Sequence, residues 1–276
     1  MGHSSERSSL VGDLVRFLFP SDYFNPKKVD EAYSEQLDCL RNVGFKVSII
    51  SLEVLASGSA KIFPTPEQGE TLIYRGWMIT PDDYSCLVNV VKDAGADVLI
   101  SDDAYLATHY LPNWYPLIRD STPETRFFSI DDDLEHGLRE LGWSRFFIKD
   151  YVKSLKTSVG SIIDEPSAIR TVVAEMQKFR GTIEGGLCVR QVEDFIAETE
   201  RRYFVVYGKP FAALPDEEVP AIVEECAKRI NSQFFAVDVV ERRDGCKRVV
   251  EIGNGQVSDL VGWTAERFAT VWAERS

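Results

Sequence analysis

The chain is short of positive charge: 31 Lys and Arg stand against 44 Asp and Glu, a net charge of −13. Such a surface repels a polyanion unless a local basic groove compensates, which disfavours nucleic acid as a partner. It leaves room for a nucleotide, whose phosphates need only a few converging cations. The five cysteines, Cys39, Cys86, Cys188, Cys226 and Cys246, show no paired spacing. That excludes a disulfide framework and makes buried thiols in a reducing compartment the default. No apolar run reaches the ~18–20 residues of a membrane span, and the polar opening MGHSSERSS lacks the apolar core of a signal peptide. Glu6 stands where a myristoylation signal wants Ser or Thr. There is no Walker A loop. The expectation is a soluble cytoplasmic protein with a frayed start.

What is present is core material: 44% hydrophobic and 11% aromatic residues in 276, enough for two packed units. Up to about residue 120, strand and helix patterns alternate. Strands are expected at Leu14–Phe19, Phe45–Leu52, Thr71–Arg75 and Asp97–Ser101. A helix carrying Tyr33, Leu37 and Leu40 separates the first two and stops at Gly44. Thr80-Pro81-Asp82-Asp83 supplies an N-cap, a first-turn proline and a capping-box acid for another. This grammar predicts an open parallel α/β sheet. Beyond a junction between Asp120 and Gly142, strands come in neighbouring pairs with a helix between, the pattern of antiparallel α+β layers. The expected division is an N-terminal α/β domain over 1–130 and a second domain over 131–276, with a lid at about 145–194.

Ligands in open α/β sheets gather beyond the carboxyl ends of strands. Arg75 is thereby a candidate for holding a substrate carboxylate, with Trp77, Tyr105 and His109 as candidate pocket walls; surface pairing and core packing are the plainer readings. In KDYVKSLKTSVGS, Lys149, Lys153 and Lys156 flank a small polar turn whose N–H groups can approach an anion, although solvated lysines near a hairpin are common. Glu200 and Arg202 share a face of the strand TERRYFVVY. Asp216 is expected to cap the helix that carries Val223 and Cys226.

The stretch Phe234–Leu260 alternates in period two, meets Asp244-Gly245 and resumes as a second apolar run, a strong hairpin signal. A two-residue turn would pair Arg243 with Cys246 and put Asp238 directly opposite Glu251. Carboxylates so placed sit about 4.5–5.5 Å apart at Cβ and repel. Two readings are open: a divalent cation between them, or one acid solvated or paired with a basic side chain.

Taken in order, these features resemble the ATP-grasp superfamily. The series is a strand lysine before a phosphate-covering loop (Lys149, then 153–160), a hinge strand (Val189–Glu193), a Glu-x-Arg strand ending in Gly208, and Asp238 followed by Glu251 and Asn254. More narrowly, YRGWM, IKDYVKS and VVEIGNGQVS look like its R-two-K clade, over essentially the full chain. The resemblance implies a small α/β domain followed by an ATP-grasp fold of two α+β subdomains. It implies ATP and Mg²⁺ as cofactors, with Lys149, Lys153 and Lys156 on phosphates. Backbone groups near Gln191 to Glu193, with Val192 between, would meet the adenine, Glu193 would take the ribose hydroxyls, and Arg190 and Glu200 would be further cofactor-binding residues. Asp238, Glu251 and Asn254 would hold Mg²⁺, with Asn254 displaced from the metal or Gln256 and Ser258 sharing its task as the alternatives, and an ordinary loop as the plainer reading of those two. Arg202, Lys153 and Arg75 would be the catalytic and substrate-binding cations. The implied activity is a carboxylate–amine ligase working through an acyl-phosphate, on an amino acid, peptide or protein. A kinase that stops at phosphorylation and a nucleotide-binding module without turnover are the alternatives.

Overall fold

All six residues of Val15–Pro20 are buried, as a central strand covered on both faces requires. In the computed structural model, which describes residues 15–152 and 161–274, this strand (β1) lies between two parallel neighbours, β2 (Lys46–Ile50) and β4 (Thr71–Tyr74). With β3 (Ile62–Phe63), antiparallel to β2, and β5 (Asp97–Val98), parallel to β4, the sheet order is β3-β2-β1-β4-β5. The crossovers are helices α1 (Ser34–Asn42) and α2 (Pro81–Asp93). At α2 the expected cap forms, with Thr80 Oγ1 accepting from the Asp83 amide at 3.2 Å. Helix α3 (Asp102–His109) then places Tyr105 in a stack with Tyr84, centroids 4.0 Å apart.

The chain forms two compact units whose boundaries differ from the sequential split expected. Unit 1 takes Met1–Leu106, Arg201–Val237 and Gly253–Ser276; unit 2 takes Ala107–Glu200 and Asp238–Ile252. The cause in unit 1 is visible in its core. The last helix, α8 (Ala265–Ala273), sets Trp272 edge-on to Phe17 of β1 at 5.2 Å and packs along α1. Phe204, Phe211 and Phe234 join the same cluster. Helix α7 (Ala221–Arg229) starts behind Pro220 as N-cap, so Asp216 does not cap it. Proline supplies the fixed φ that starts a helix, which outweighs a carboxylate five residues upstream.

Unit 2 is built on an antiparallel sheet in the order β6-β9-β7-β8: β6 (Thr125–Phe128), β7 (Phe146–Asp150), β8 (Ile162–Ile163) and β9 (Leu187–Gln191). Alternation splits its residues between two faces. Phe146, Ile148, Leu187 and Val189 bury against Leu134 and Leu138 of α5 (Leu134–Leu141) and Ile169, Val172 and Met176 of α6 (Ile169–Arg180). The other face carries Lys149, Cys188 and Arg190, with Lys149 directly opposite Cys188. Helix α4 (Leu111–Ile118) buries Trp114 despite Pro116 inside it.

Strands β10 (Phe195–Val206), β12 (Phe234–Arg242) and β13 (Lys247–Asn254), with β11 (Lys209–Phe211), make the third sheet, in the order β11-β10-β12-β13. Its hairpin forms, with a different turn. Gly245 N–H donates to Arg242 O and Arg242 N–H to Cys246 O, both at 2.8 Å, and Gly245 has φ +85°. Three residues therefore make the loop, the last in the left-handed region. Arg242, in place of Arg243, faces Cys246. Counted from there, Asp238 is displaced by one residue from Glu251, so the turn does not set the two acids against each other. At the open end Gly255 N–H meets Phe234 O at 3.3 Å, which obeys the original count. Burial of both Val249 and Ile252, three residues apart, breaks strict alternation in β13 and fits one extra residue absorbed along the ladder.

Candidate functional site

In unit 2, the polar face of the sheet delivers Lys149 and Arg190. Lys149 is 5% exposed, and its Nζ meets Glu251 Oε1 at 3.3 Å. The Glu251 side chain remains 44% exposed, so the pair is closed on the lysine's side and open on the carboxylate's. Arg190, also 5% exposed, donates from Nη1 to Val250 O and from Nη2 to Thr122 Oγ1, each at 2.6 Å, and its Nε has no partner. Burial pulls the guanidinium down to about 10, with Glu251 opposing, so it stays a cation at neutral pH. Burial likewise pushes the Cys188 thiol up to about 12 against the pull of Lys149 and Arg190, leaving it uncharged.

At the end of β9 the expected hinge residues border a cavity of about 500 Å³ lined by Tyr115, Arg119, Glu124, Gln191, Glu193 and Arg248 among others. The amides of Gln191 and Val192 donate to Glu124 O and Arg145 O. Glu193 differs from its expected part at a ribose. Both its oxygens are engaged by Arg248, at 2.9 and 3.0 Å, and Arg242 adds a contact at 3.3 Å. The carboxylate serves as counter-ion to two arginines and fixes the β12–β13 hairpin to the end of β9.

In unit 1, Arg75 also departs from expectation. It is 1% exposed; Nη1 donates to the carbonyls of Gly255 (3.0 Å), Gln256 (3.3 Å) and Ser258 (2.5 Å), and Nε donates to Gln36 (2.8 Å). Its guanidinium is spent on the loop after Asn254, since carbonyls a few residues apart in a tight bend converge where only a multi-dentate donor satisfies them. Burial pulls its pKa down to about 10, and the nearby Arg202 lowers it further. Arg202 donates to Asp259 O at 2.8 Å. Asn254, 1% exposed, accepts the Gln256 amide on Oδ1 at 3.0 Å. The Gln256 side chain accepts from the Tyr74 amide and donates to the Tyr84 hydroxyl, and the Ser258 hydroxyl donates to Asn254 O.

Of the other expected residues, Asp238 is 5% exposed on β12, and Glu200 is exposed on β10. Tyr105 and His109 are buried, and Trp77 is half-exposed with Nε1 donating to Asp30. Lys153 and Lys156 lie outside the described residues. Among those described, no group of three or more His, Cys, Asp or Glu is placed to hold a metal. Thr122 and Arg248 escaped the sequence reading. Both sit where only a long-range fold gives them partners.

Residues 140–274 match the model of the ATP-grasp domain, R-two-K clade family 3. This stretch is an ATP-grasp domain of the R-two-K clade. The whole chain has the ATP-grasp fold. It superposes on D-cycloserine synthetase DcsG with TM-score 0.63 at 13% identity, covering 95% of this chain and 99% of that one. The D-alanine–D-alanine ligase from Coxiella burnetii gives TM-score 0.63 at 13% identity, with 94% of each chain covered. ATP-grasp ligase PsnB, complexed with precursor peptide PsnA2 and AMPPNP, gives 0.60 at 11%, covering 96% and 97%. No curated protein sequence matches the chain. Within the ATP-grasp domain, the strand lysine and the acid of the terminal strand, 102 residues apart in sequence, form one ion pair.

Proposed function

We propose that the protein is an ATP- and Mg²⁺-dependent carboxylate–amine ligase acting on an amino acid or peptide. The observation that carries the reading is the Lys149–Glu251 pair in an ATP-grasp domain. A buried amine and a half-open carboxylate hold each other's charge until Mg²⁺ and a triphosphate supply better partners for both.

The residues fit the metal by their donor chemistry. Mg²⁺ takes hard oxygen ligands, commonly one or two carboxylates together with phosphate oxygens. Asp238, Glu251 and the amide oxygen of Asn254 are the set we assign to it. When bound, the ion neutralises phosphate oxygens at the transferring group. The protein's own part is positioning and charge. Lys149 neutralises a phosphate, and Lys153 and Lys156 are assigned to the same task. Gln191 and Val192 border the adenine, and Glu200 the ribose. Arg202 stabilises the transferred phosphoryl group, while Arg75 holds the loop that follows Asn254. In the reaction, a substrate carboxylate oxygen takes the γ-phosphoryl group and ADP leaves. The amine then attacks the acyl carbon, phosphate departs, and the amine proton passes to solvent. The likeness to D-cycloserine synthetase, D-alanine–D-alanine ligase and a peptide-bound ligase favours amino-acid or peptide acceptors over a protein. Among the described residues no helix is long and apolar enough to cross a membrane.

The test is product analysis of the full chain with ATP, Mg²⁺ and pools of amino acids and short peptides. ADP, phosphate and a product lighter by one water than its two precursors are expected. A stable phosphorylated acceptor would overturn the proposal in favour of a kinase; nucleotide binding without ADP formation would overturn it in favour of a binding module.

A further inference from the structure

Glu251 owes its place to more than its own side chain. The two residues before it are tied down through their backbone. Val249 N–H donates to Ser121 O at 2.8 Å, and Val249 O accepts from Thr122 Oγ1 at 2.7 Å. Val250 O accepts from Arg190 Nη1 at 2.6 Å, and Arg190 Nη2 donates to the same Thr122 Oγ1 at 2.6 Å. Thr122 is fully buried, so its hydroxyl meets no competing water. One hydroxyl thus accepts from the arginine and donates to the strand, using both capacities of the group. The planar fork of Arg190 spans strand and hydroxyl together, which a single ammonium cannot do.

β13 benefits from such a device because Val249 and Ile252, three residues apart, are both buried, which breaks strict alternation across this segment. Where a ladder absorbs an extra residue, the direction of the next side chain is not fixed by the ladder alone. Glu251 follows directly after the two tethered residues.

We infer that Thr122 and Arg190 are positioning residues that fix the segment Val249–Val250 and thereby aim Glu251 at the divalent cation. The inference rests on the metal assignment above. It also gives Arg190 a task other than contact with the nucleotide. Residues that orient a metal ligand without touching the ion typically change affinity 10–100-fold when removed.

The experiment measures Mn²⁺ affinity of the full chain by electron paramagnetic resonance of free Mn²⁺ in the presence of AMPPNP. AMPPNP affinity without metal is measured in parallel by calorimetry. Thr122→Val keeps the shape and removes the hydroxyl; it should weaken Mn²⁺ about 10–100-fold with metal-free AMPPNP affinity unchanged. Thr122→Ser should restore wild-type Mn²⁺ affinity, which a loss of packing alone would not predict. Arg190→Lys should reproduce the Val defect, and it supplies the test should Thr122→Val fail to fold. Wild-type Mn²⁺ affinity in a folded Thr122→Val or Arg190→Lys protein would overturn the inference. Failure of the wild-type chain to bind Mn²⁺ with AMPPNP would overturn the metal assignment on which it rests.

Discussion

Replacing Arg75 by alanine removes one guanidinium and leaves the bend at 255–258 to fend for itself. Three carbonyls lose a donor, yet they are not equivalent: Gln256 O keeps the Gly76 amide at 3.0 Å, while the side chain took the bonds to Gly255 O and Ser258 O. Stranding two buried carbonyls costs roughly 1–3 kcal/mol each. Lost contact with the Phe268 ring, 5.0 Å from the guanidinium, adds about 0.5–1 kcal/mol. Water entering the vacated space offsets part of this, so a net loss of about 3–5 kcal/mol is expected. At about 2–4 °C per kcal/mol for chains of this size, the midpoint of a thermal melt should fall by roughly 6–20 °C. The assay is a melt followed by near-ultraviolet circular dichroism, which reads the buried aromatic cluster around Trp272 and Phe268. Arg75→Lys, able to reach one carbonyl at a time, should fall between. A midpoint within about 2 °C of wild type for Arg75→Ala would refute the reasoning and return the residue to a substrate-binding role.

Lys149→Ala should weaken ATP binding in calorimetry, by at least tenfold for loss of a charge-assisted contact of about 1.5–3 kcal/mol; unchanged affinity removes Lys149 from the phosphate site. Asp238→Ala and Glu251→Ala should each abolish Mg²⁺-dependent ADP formation while circular dichroism shows the fold retained, and full turnover in either variant would sink the metal assignment. Thiol labelling of the native chain at pH 8 should mark exposed Cys246 and spare Cys188, whose thiol is buried and pushed up to about 12. Rapid modification of Cys188 would mean that the polar face of the β6-β9-β7-β8 sheet opens to solvent.

How far the sequence carried is clearest from individual residues. The buried run at β1 and the capping box at Thr80 were legible because period and capping are local. Two prolines, Pro112 and Pro116, hid α4, since tertiary packing of Trp114 overrode a pattern that reads as broken. Asp244-Gly245 correctly announced a hairpin, yet the same pair suits a two-residue turn or the end of a three-residue one, and one residue of register follows that choice. The division into units was out of reach, because Arg75 finds its partners about 180 residues away. Thr122 sat in a polar break that reads as any loop.

Two ion pairs of unit 2 differ in a way that bears on which of them a ligand can open. Glu193 meets Arg248 through both oxygens, with the two side chains only 11% and 17% exposed. Breaking a closed, bidentate pair costs about 3–5 kcal/mol because each charge is left in poor solvent. Glu251 meets Lys149 through one oxygen at 3.3 Å and keeps 44% of its side chain in water. Pairs with an exposed partner contribute about 0–1 kcal/mol, so a ligand loses little by parting them. The lysine differs from its partner: buried on its own strand, it cannot turn to solvent and must be given another anion when Glu251 leaves. On the proposed reading, a triphosphate with its metal ion would answer both needs at once, an anion for Lys149 and a cation for Glu251. A neutral ligand would leave the amine stranded, and an uncomplexed anion would leave Glu251 facing added negative charge.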